Sequence, residues 1–418
     1  AGLVAATALL GVAAVAVWSR PDTNAADLIP TIAAGVVALP TLTWLVGRAD
    51  QPGTAPADTG AAPVAGRRTF LGGVVAVGAL AVASGGLGRL LGARRTGVEA
   101  SRLGLASSVG LPDPTLPAGS DLEVSGAEPW RTPNEVFYRI DTALSVPLVR
   151  AEDWQLRLHG MVDHEVRLRY SDLVEMGLVD RWLTLTCVSN EVGGGLAGNA
   201  FWTGVPIAEV LALAGPHPDA DAVLSTSQDG WTAGTPLEVL TDGRDALLAV
   251  GMNGSPLPVE HGFPVRMVVP GLYGYVSATK WVVDLEVSRF DEFDAYWSTR
   301  GWSERGPVKV ASRIDVPRGG ASVSAGTVAV AGVAWAQHRG IEAVEVRVDG
   351  EDWERARLAD VPSPDTWRQW LWEWDALPGR HDLEVRAITA DGETQTGERS
   401  PVTPDGATGW HRVTVEVD

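Results

Sequence analysis

The sequence predicts an α+β protein in three parts: N-terminal transmembrane helices, a mixed α+β domain and a C-terminal immunoglobulin-like β-sandwich. Three observations predict it. The first ninety residues hold three long uncharged apolar runs, residues 129–305 mix strand-like runs with short helical ones, and from residue 306 strand signals return about every ten residues. A length of 418 residues leaves room for two or three domains at roughly 100–200 residues each. The net charge of −19 is unevenly placed: seven basic and four acidic residues up to Arg95 give +3, leaving −22 for the rest. So acidic a surface repels polyphosphate and argues against a nucleic-acid partner.

The apolar runs are 1–18, 31–46 and 69–88. About 20 residues cross ~30 Å of hydrocarbon, so about three spans are expected over residues 1–92, the first truncated, because the sequence begins without Met inside an apolar run. Arg48, Arg67 and Arg68 in the 47–68 loop, against Arg20 opposed by Asp22 and Asp27 in the 19–30 loop, place the former in the cytoplasm. A multi-pass cell-membrane protein with its catalytic part extracytoplasmic is then expected. The run GRRTFLGG, Gly66 to Gly73, resembles a twin-arginine export signal, although two interfacial arginines before a helix would read the same. No histidine precedes His159, so these helices hold no haem by themselves.

Residues 93–128, rich in Gly, Ser, Pro and Ala, read as an extracytoplasmic linker. In 129–305 the runs WQLRLHG, WLTLTCV, FPVRMVVPG and TKWVVDLEV are strand-like, and SDLVEMG and PIAEVLALAG are helical. In 306–418 Val344, Val346 and Val348 alternate with Glu345, Arg347 and Asp349, the pattern of a half-buried antiparallel strand.

Cys187 is the single cysteine, which excludes an intrachain disulfide and every multi-cysteine metal site. It follows the apolar strand WLTLT and opens the polar loop CVSNEVGGG. A buried small hydrophobe, a nucleophile served by His159, His164, His217 or His261, and a metal thiolate all remain open. The stretch 252–281 combines His261, Arg266 and Lys280 with Gly271, Gly274 and Ser277. A guanidinium fork, an ammonium and glycines that admit backbone N–H groups suit a phosphate.

Here a resemblance becomes specific. CVSNEVGG, GNAFWTGVPIAEVL, DGWTAGTPLEVL, LLAVGMNGSPLPVEHGFPVRMVVPGLYG and TKW, with FYRIDTA upstream, resemble the sulfite-oxidase family of molybdopterin oxidoreductases over residues 129–418. The C-terminal part is similar to that family's molybdenum-cofactor dimerisation domain, which implies a homodimer. The resemblance implies Cys187 as ligand to a molybdenum carried by one molybdopterin. Asn134, Tyr138, Arg139, Asp229, His261, Arg266, Ala278, Thr279 and Lys280 are then cofactor-binding, with Arg139 the cation nearest the oxo face. No haem is expected in this chain, since C-x-x-C-H needs two cysteines, so a separate electron carrier or a quinone is implied.

The sequence also departs from the animal and plant enzymes. Val188, Ser189, Asn190 and Glu191 stand where a run ending in arginine is usual, Phe201 replaces a second arginine, and Trp302, after Trp297, replaces a tyrosine. Charge-assisted bonds contribute about 1.5–3 kcal/mol each, so losing two weakens a dianion site by several kcal/mol if these side chains face it. A membrane-anchored enzyme of two-electron oxygen-atom transfer on a small substrate, by S- or N-oxide reduction or a related oxidation, is therefore expected, the alternatives being sulfite oxidation in a rearranged pocket and a cofactor-less membrane-anchored binding protein. Trp297, Trp302 and Phe201 would form an apolar wall.

Overall fold

The computed structural model describes residues 7, 11–15, 31, 32, 35, 39, 43, 89, 92–106 and 108–418. The chain divides into two compact units, Ala1–Leu91 and Gly92–Asp418. Among the described residues no helix is long and apolar enough to cross a membrane. This corrects the expectation of N-terminal transmembrane helices and of a multi-pass membrane location with an extracytoplasmic catalytic part. The reading weighed hydropathy, whereas a span also requires about 20 continuous helical residues. The 69–88 run and the Arg67-Arg68 motif lie outside the described residues.

The second unit is mostly β, which corrects the expected α+β class: from residue 129 on, its helices are only short pieces set over the strands. Its first half carries β1 (Gln155–Gly160), β2 (Val166–Arg169), β3 (Val179–Thr186), β4 (Ala197–Pro206), β5 (Ala222–Ser227), β6 (Thr232–Pro236), β7 (Leu247–Met252), β8 (Ser255–Pro256), β9 (Arg266–Val268) and β10 (Val282–Ser288). They form two sheets, in the orders β2-β1-β10-β5-β6 and β3-β4-β7-β8, with β9 paired to β7. The first sheet is mixed, since β1 runs parallel to β10 while its other pairs are antiparallel. The short helices α1 (Tyr170–Glu175), α2 (Ile207–Ala212) and α3 (Leu237–Thr241) cover the strands. Those at 207 and 237 each begin directly after a proline, whose fixed φ starts a helix well. The segment expected as a linker opens with a helix over 92–106, docked through buried Val98 and through Leu105.

Farther along lie β11 (Ala311–Val316), β12 (Ser322–Val323), β13 (Gly326–Trp335), β14 (Ile341–Val348), β15 (Glu354–Arg355), β16 (Arg357–Leu358), β17 (Arg368–Ala376), β18 (Gly379–Thr389) and β19 (His411–Val417). They make a four-stranded sheet, β11-β13-β17-β16, and a five-stranded one, β12-β19-β18-β14-β15. The two close on a core that includes Val330, Val344, Trp370, Leu383 and Val413. Alternation along β18 sends Leu383, Val385 and Ala387 inward, as a period of two demands.

The halves share an interior. Trp335 and Trp367 belong to the same core as Trp130, Trp182 and Trp202. Strand β3 lies at the edge of its sheet, and loops from the C-terminal half cover that edge. The Thr184 N–H donates to the Asp365 carbonyl at 3.0 Å, the Trp367 N–H donates to Thr184 Oγ1 at 2.7 Å, and Gln337 Nε2 donates to Thr186 Oγ1 at 2.9 Å. The first of these, with Gln337 Nε2 donating also to the Thr184 carbonyl at 3.2 Å, satisfies backbone groups that an edge strand otherwise leaves open, and the other two tie its hydroxyls to the covering loops.

Candidate active site

Cys187 is the first residue beyond β3, at the mouth of the β3–β4 hairpin, whose last strand pair is Thr186 and Ala197. Its N–H donates to the Leu196 carbonyl at 2.9 Å, and Asn190 Oδ1 accepts the Leu196 N–H at 2.7 Å. The loop is thus a closed ring rather than a loose tail. It is held from the C-terminal sheets as well. Buried Arg313 donates to the Gly194 carbonyl at 2.9 Å, and His411 packs so closely on Gly193 that an added Cβ would lie 2.3 Å from its ring. The φ of +80° at Gly193 suits glycine for the same reason.

His411 is half-buried, its Nδ1 accepting the Ile314 N–H at 3.0 Å. Burial, aided by Arg313, pulls its pKa down to about 4. A base whose folded pKa is depressed binds fewer protons folded than unfolded between pH 6.5 and 4, so stability falls as pH drops through that window. Denaturant melts at pH 7 and pH 5 should show the wild type losing about 2 kcal/mol more than His411→Gln. Equal losses would place the imidazole elsewhere.

Cys187 lines a cleft whose empty space, open solvent included, is about 940 Å³. His261, Arg266 and Lys280 line the same cleft, as do Tyr138, Asp229 and Ala278. The segment 258–266 turns sharply through Gly262, whose φ is +109° and whose missing side chain leaves room for Lys280, 3.2 Å from where a Cβ would stand. Close packing of this turn against residue 280 brings the three basic side chains together.

The electrostatics are unusual for so acidic a chain. Arg266 is 5% exposed and donates only to the carbonyls of His261, Met267 and Ala278, with its guanidinium 5.2 Å from the Trp202 ring centre. Burial lowers its pKa to about 10, which leaves it charged at neutral pH, and among the described residues no carboxylate pairs with it. Lys280 Nζ donates to Asp141 at 2.6 Å, and burial lowers its pKa to about 8 against the pull of that partner. Asp141 also accepts from Arg139 Nε at 2.9 Å; burial opposes its ionisation, yet the two donors outweigh it and hold the carboxyl below its ordinary range. His261 Nε2 donates to the Asn134 carbonyl at 3.1 Å, and burial, with Arg266 nearby, lowers its pKa to about 4, so it is neutral at pH 7. Burial pushes the Cys187 thiol up, while the Ser189 N–H and hydroxyl beside the sulfur pull the other way. Tyr138 is pushed up by burial, with Cys187 adding to it.

The remaining nominated residues stand apart from the lining. Arg139 is exposed and paired to Asp141, Thr279 turns its hydroxyl onto Ser225 at 2.7 Å, and Asn134 sits behind His261. Of the expected apolar wall, Trp297 and Trp302 line the cleft, but Phe201 packs against Trp182, with ring centres 5.0 Å apart and tilted by 58°. Glu191 lines a separate, smaller cavity. Two positioning residues escaped the sequence reading. Asp141 joins Arg139 to Lys280, and Asn253, with φ +51° in the Asn-Gly turn after β7, donates to Asn134 Oδ1 at 2.8 Å and to the Thr132 carbonyl at 2.9 Å. The Asn253-Gly254 dipeptide was the available signal for the second.

Comparison with known proteins bears directly on this cleft. A family model for the oxidoreductase molybdopterin binding domain matches residues 143–297. The sulfite oxidase of Gallus gallus is 29% identical over 338 residues, covering 68% of this chain and 73% of its own. The uncharacterized oxidoreductase YuiH of Bacillus subtilis is 32% identical over 153 residues, covering 37% of this chain and 74% of YuiH. The chain belongs to the sulfite-oxidase family of molybdopterin oxidoreductases. This sulfite-oxidase family member is an enzyme, which sets aside the cofactor-less binding protein. It shares its fold with the sulfane dehydrogenase SoxCD from Paracoccus pantotrophus, at a TM-score of 0.61 and 22% identity over 75% of this chain and 89% of that one. The alignments span 53% of the Drosophila melanogaster sulfite oxidase and 62% of the human one. The immunoglobulin-like label expected for the C-terminal sheets finds no support among these relatives.

The side chains suit the family's cofactor. Among the described residues no group of three or more His, Cys, Asp or Glu could hold a metal ion. A lone soft thiolate therefore needs the other donors to come from the bound group itself, as a dithiolene would provide. Arg266, a buried cation without a carboxylate, calls for an anion, which a pterin phosphate supplies.

Proposed function

We propose that this sulfite-oxidase family enzyme reduces a small, neutral S- or N-oxide at a molybdenum held by Cys187. The bond from oxygen to sulfur or nitrogen breaks, and two electrons and two protons leave with the oxygen as water. Bound in the cleft, the molybdenum cofactor supplies the two-electron change and the oxygen exchange. Cys187 gives up its proton to serve as a ligand, a step its burial opposes in the free thiol. Arg266 and Lys280 take the anionic end, while neutral His261 braces the 134–139 segment without adding charge. A separate electron carrier or quinone delivers the electrons.

The observation that carries the substrate assignment is the wall of Trp297, Trp302 and Tyr275, which line the cleft with Cys187, while the cleft's cations are Arg266 and the Asp141-bound Lys280. An aromatic wall favours methylated, weakly polar ligands over a dianion. Likeness to sulfite oxidases favours the second reading, sulfite oxidation in a rearranged pocket. Assaying sulfoxides and N-oxides with a reduced artificial donor, against sulfite with an oxidised acceptor, decides between them. At least tenfold higher kcat/KM for an oxide is expected, and a preference for sulfite would establish the alternative.

A further inference from the structure

Two donors in the cleft have no partner. Ser227 Oγ and Trp231 Nε1 are buried, line the cleft and make no hydrogen bond. They sit opposite each other on the β5–β6 hairpin, where the Ser227 N–H donates to the Trp231 carbonyl at 2.8 Å. Successive strand residues alternate in direction, so Ser227 shares a face with Ser225. That face looks onto the segment bearing the basic end of the cleft, because Ser225 Oγ meets Thr279 Oγ1 at 2.7 Å and the Gln228 N–H donates to the Trp281 carbonyl at 2.9 Å. Other buried polar groups lining the cleft are satisfied: Tyr275 donates to the Ser303 carbonyl at 2.7 Å, and Lys280 and His261 have the partners given above.

An indole N–H can only donate, so only an acceptor can satisfy it. An unmet buried donor is costly, and two side by side at one wall point to a ligand that brings acceptors. We propose that Ser227 and Trp231 are further cofactor-binding residues, donating through Oγ–H and Nε1–H to the ring nitrogens and carbonyl of a pterin-type heterocycle. This rests on the reading of the cleft as the molybdopterin site. The hairpin is anchored beside Ala278 and Lys280, the basic end, whereas the aromatic wall of Trp297, Trp302 and Tyr275 remains for substrate.

The test uses the full chain isolated from a host that makes the cofactor. Ser227→Ala removes one donor and nearly nothing else, while Trp231→Phe removes one donor and part of the ring's packing. Each should release pterin, followed by its fluorescence after oxidation, about tenfold faster than wild type, with molybdenum per chain falling in parallel. Cofactor-free Ser227→Ala should melt no lower than cofactor-free wild type, since it loses an unmet donor rather than a bond. Lower melting of both cofactor-free variants would make the two groups structural and overturn the proposal. Unchanged pterin retention with a raised substrate KM would assign the donors to substrate and overturn it equally. Arg266→Met separates the two levels of inference: fast loss in that variant with wild-type retention in the hairpin variants sinks only the proposal, and a wild type holding no pterin sinks both.

Discussion

Replacing Cys187 with serine is expected to lower turnover by a factor on the order of a thousand or more while leaving the thermal melt almost where it was. Residues that merely support a metal ligand cost about 10–100-fold when removed, and loss of the ligand itself must exceed that. The fold should tolerate the change because serine fits the same buried space, 8% exposed, and keeps the contacts to Ser189 and to the Leu196 carbonyl. A hydroxyl is a harder and less acidic donor than a thiol, so the difference falls on the metal and not on packing. Steady-state kinetics with a circular-dichroism melt check both halves. Turnover within tenfold of wild type would remove the sulfur from the coordination sphere.

The second large effect concerns Arg266→Met. Molybdenum and pterin per chain should fall below about a tenth of wild type, because two charge-assisted bonds to an anionic group contribute about 3–6 kcal/mol together. The cofactor-free variant should melt within a few degrees of cofactor-free wild type. Two costs oppose each other there: the substitution removes a buried, unpaired charge but also strips donors from the His261, Met267 and Ala278 carbonyls at 3.2–3.5 Å. Metal analysis beside calorimetry of cofactor-free protein measures the two separately. Full occupancy in the variant would mean that the anion is held by Lys280 and backbone alone.

How far the sequence reveals this site depends on how local each relation is. Cys187 is readable because an apolar run turns into a Ser-Asn-Gly loop within a few residues, and the chain folds there as that change suggests. His261, Arg266 and Lys280 are readable as a set because they lie within one short stretch. Asp141 is not, because its meaning rests on Lys280, 139 residues away. The hydroxyl of Thr279 turns onto Ser225 from an irregular stretch between the turn at 274–276 and β10, where no strand or helix period tells from the sequence which way a side chain points. The same limit applies to Phe201: its position in the sequence suggested a pocket residue, whereas its place on β4 sets it against Trp182. In the first ninety residues, apolar composition does not by itself establish a helix of spanning length.

The bonds that run from Asp365, Trp367 and Gln337 to strand β3 bear on how the polypeptide can be divided. A gene trimmed after residue 305 would leave that margin bare and strip Trp335 and Trp367 out of an interior they help to fill. The product would be a sticky half-shell prone to pairing with its own copies, with the sulfur loop deprived of the Arg313 clasp. Swapping redox modules between relatives therefore calls for exchanging both halves as one cassette.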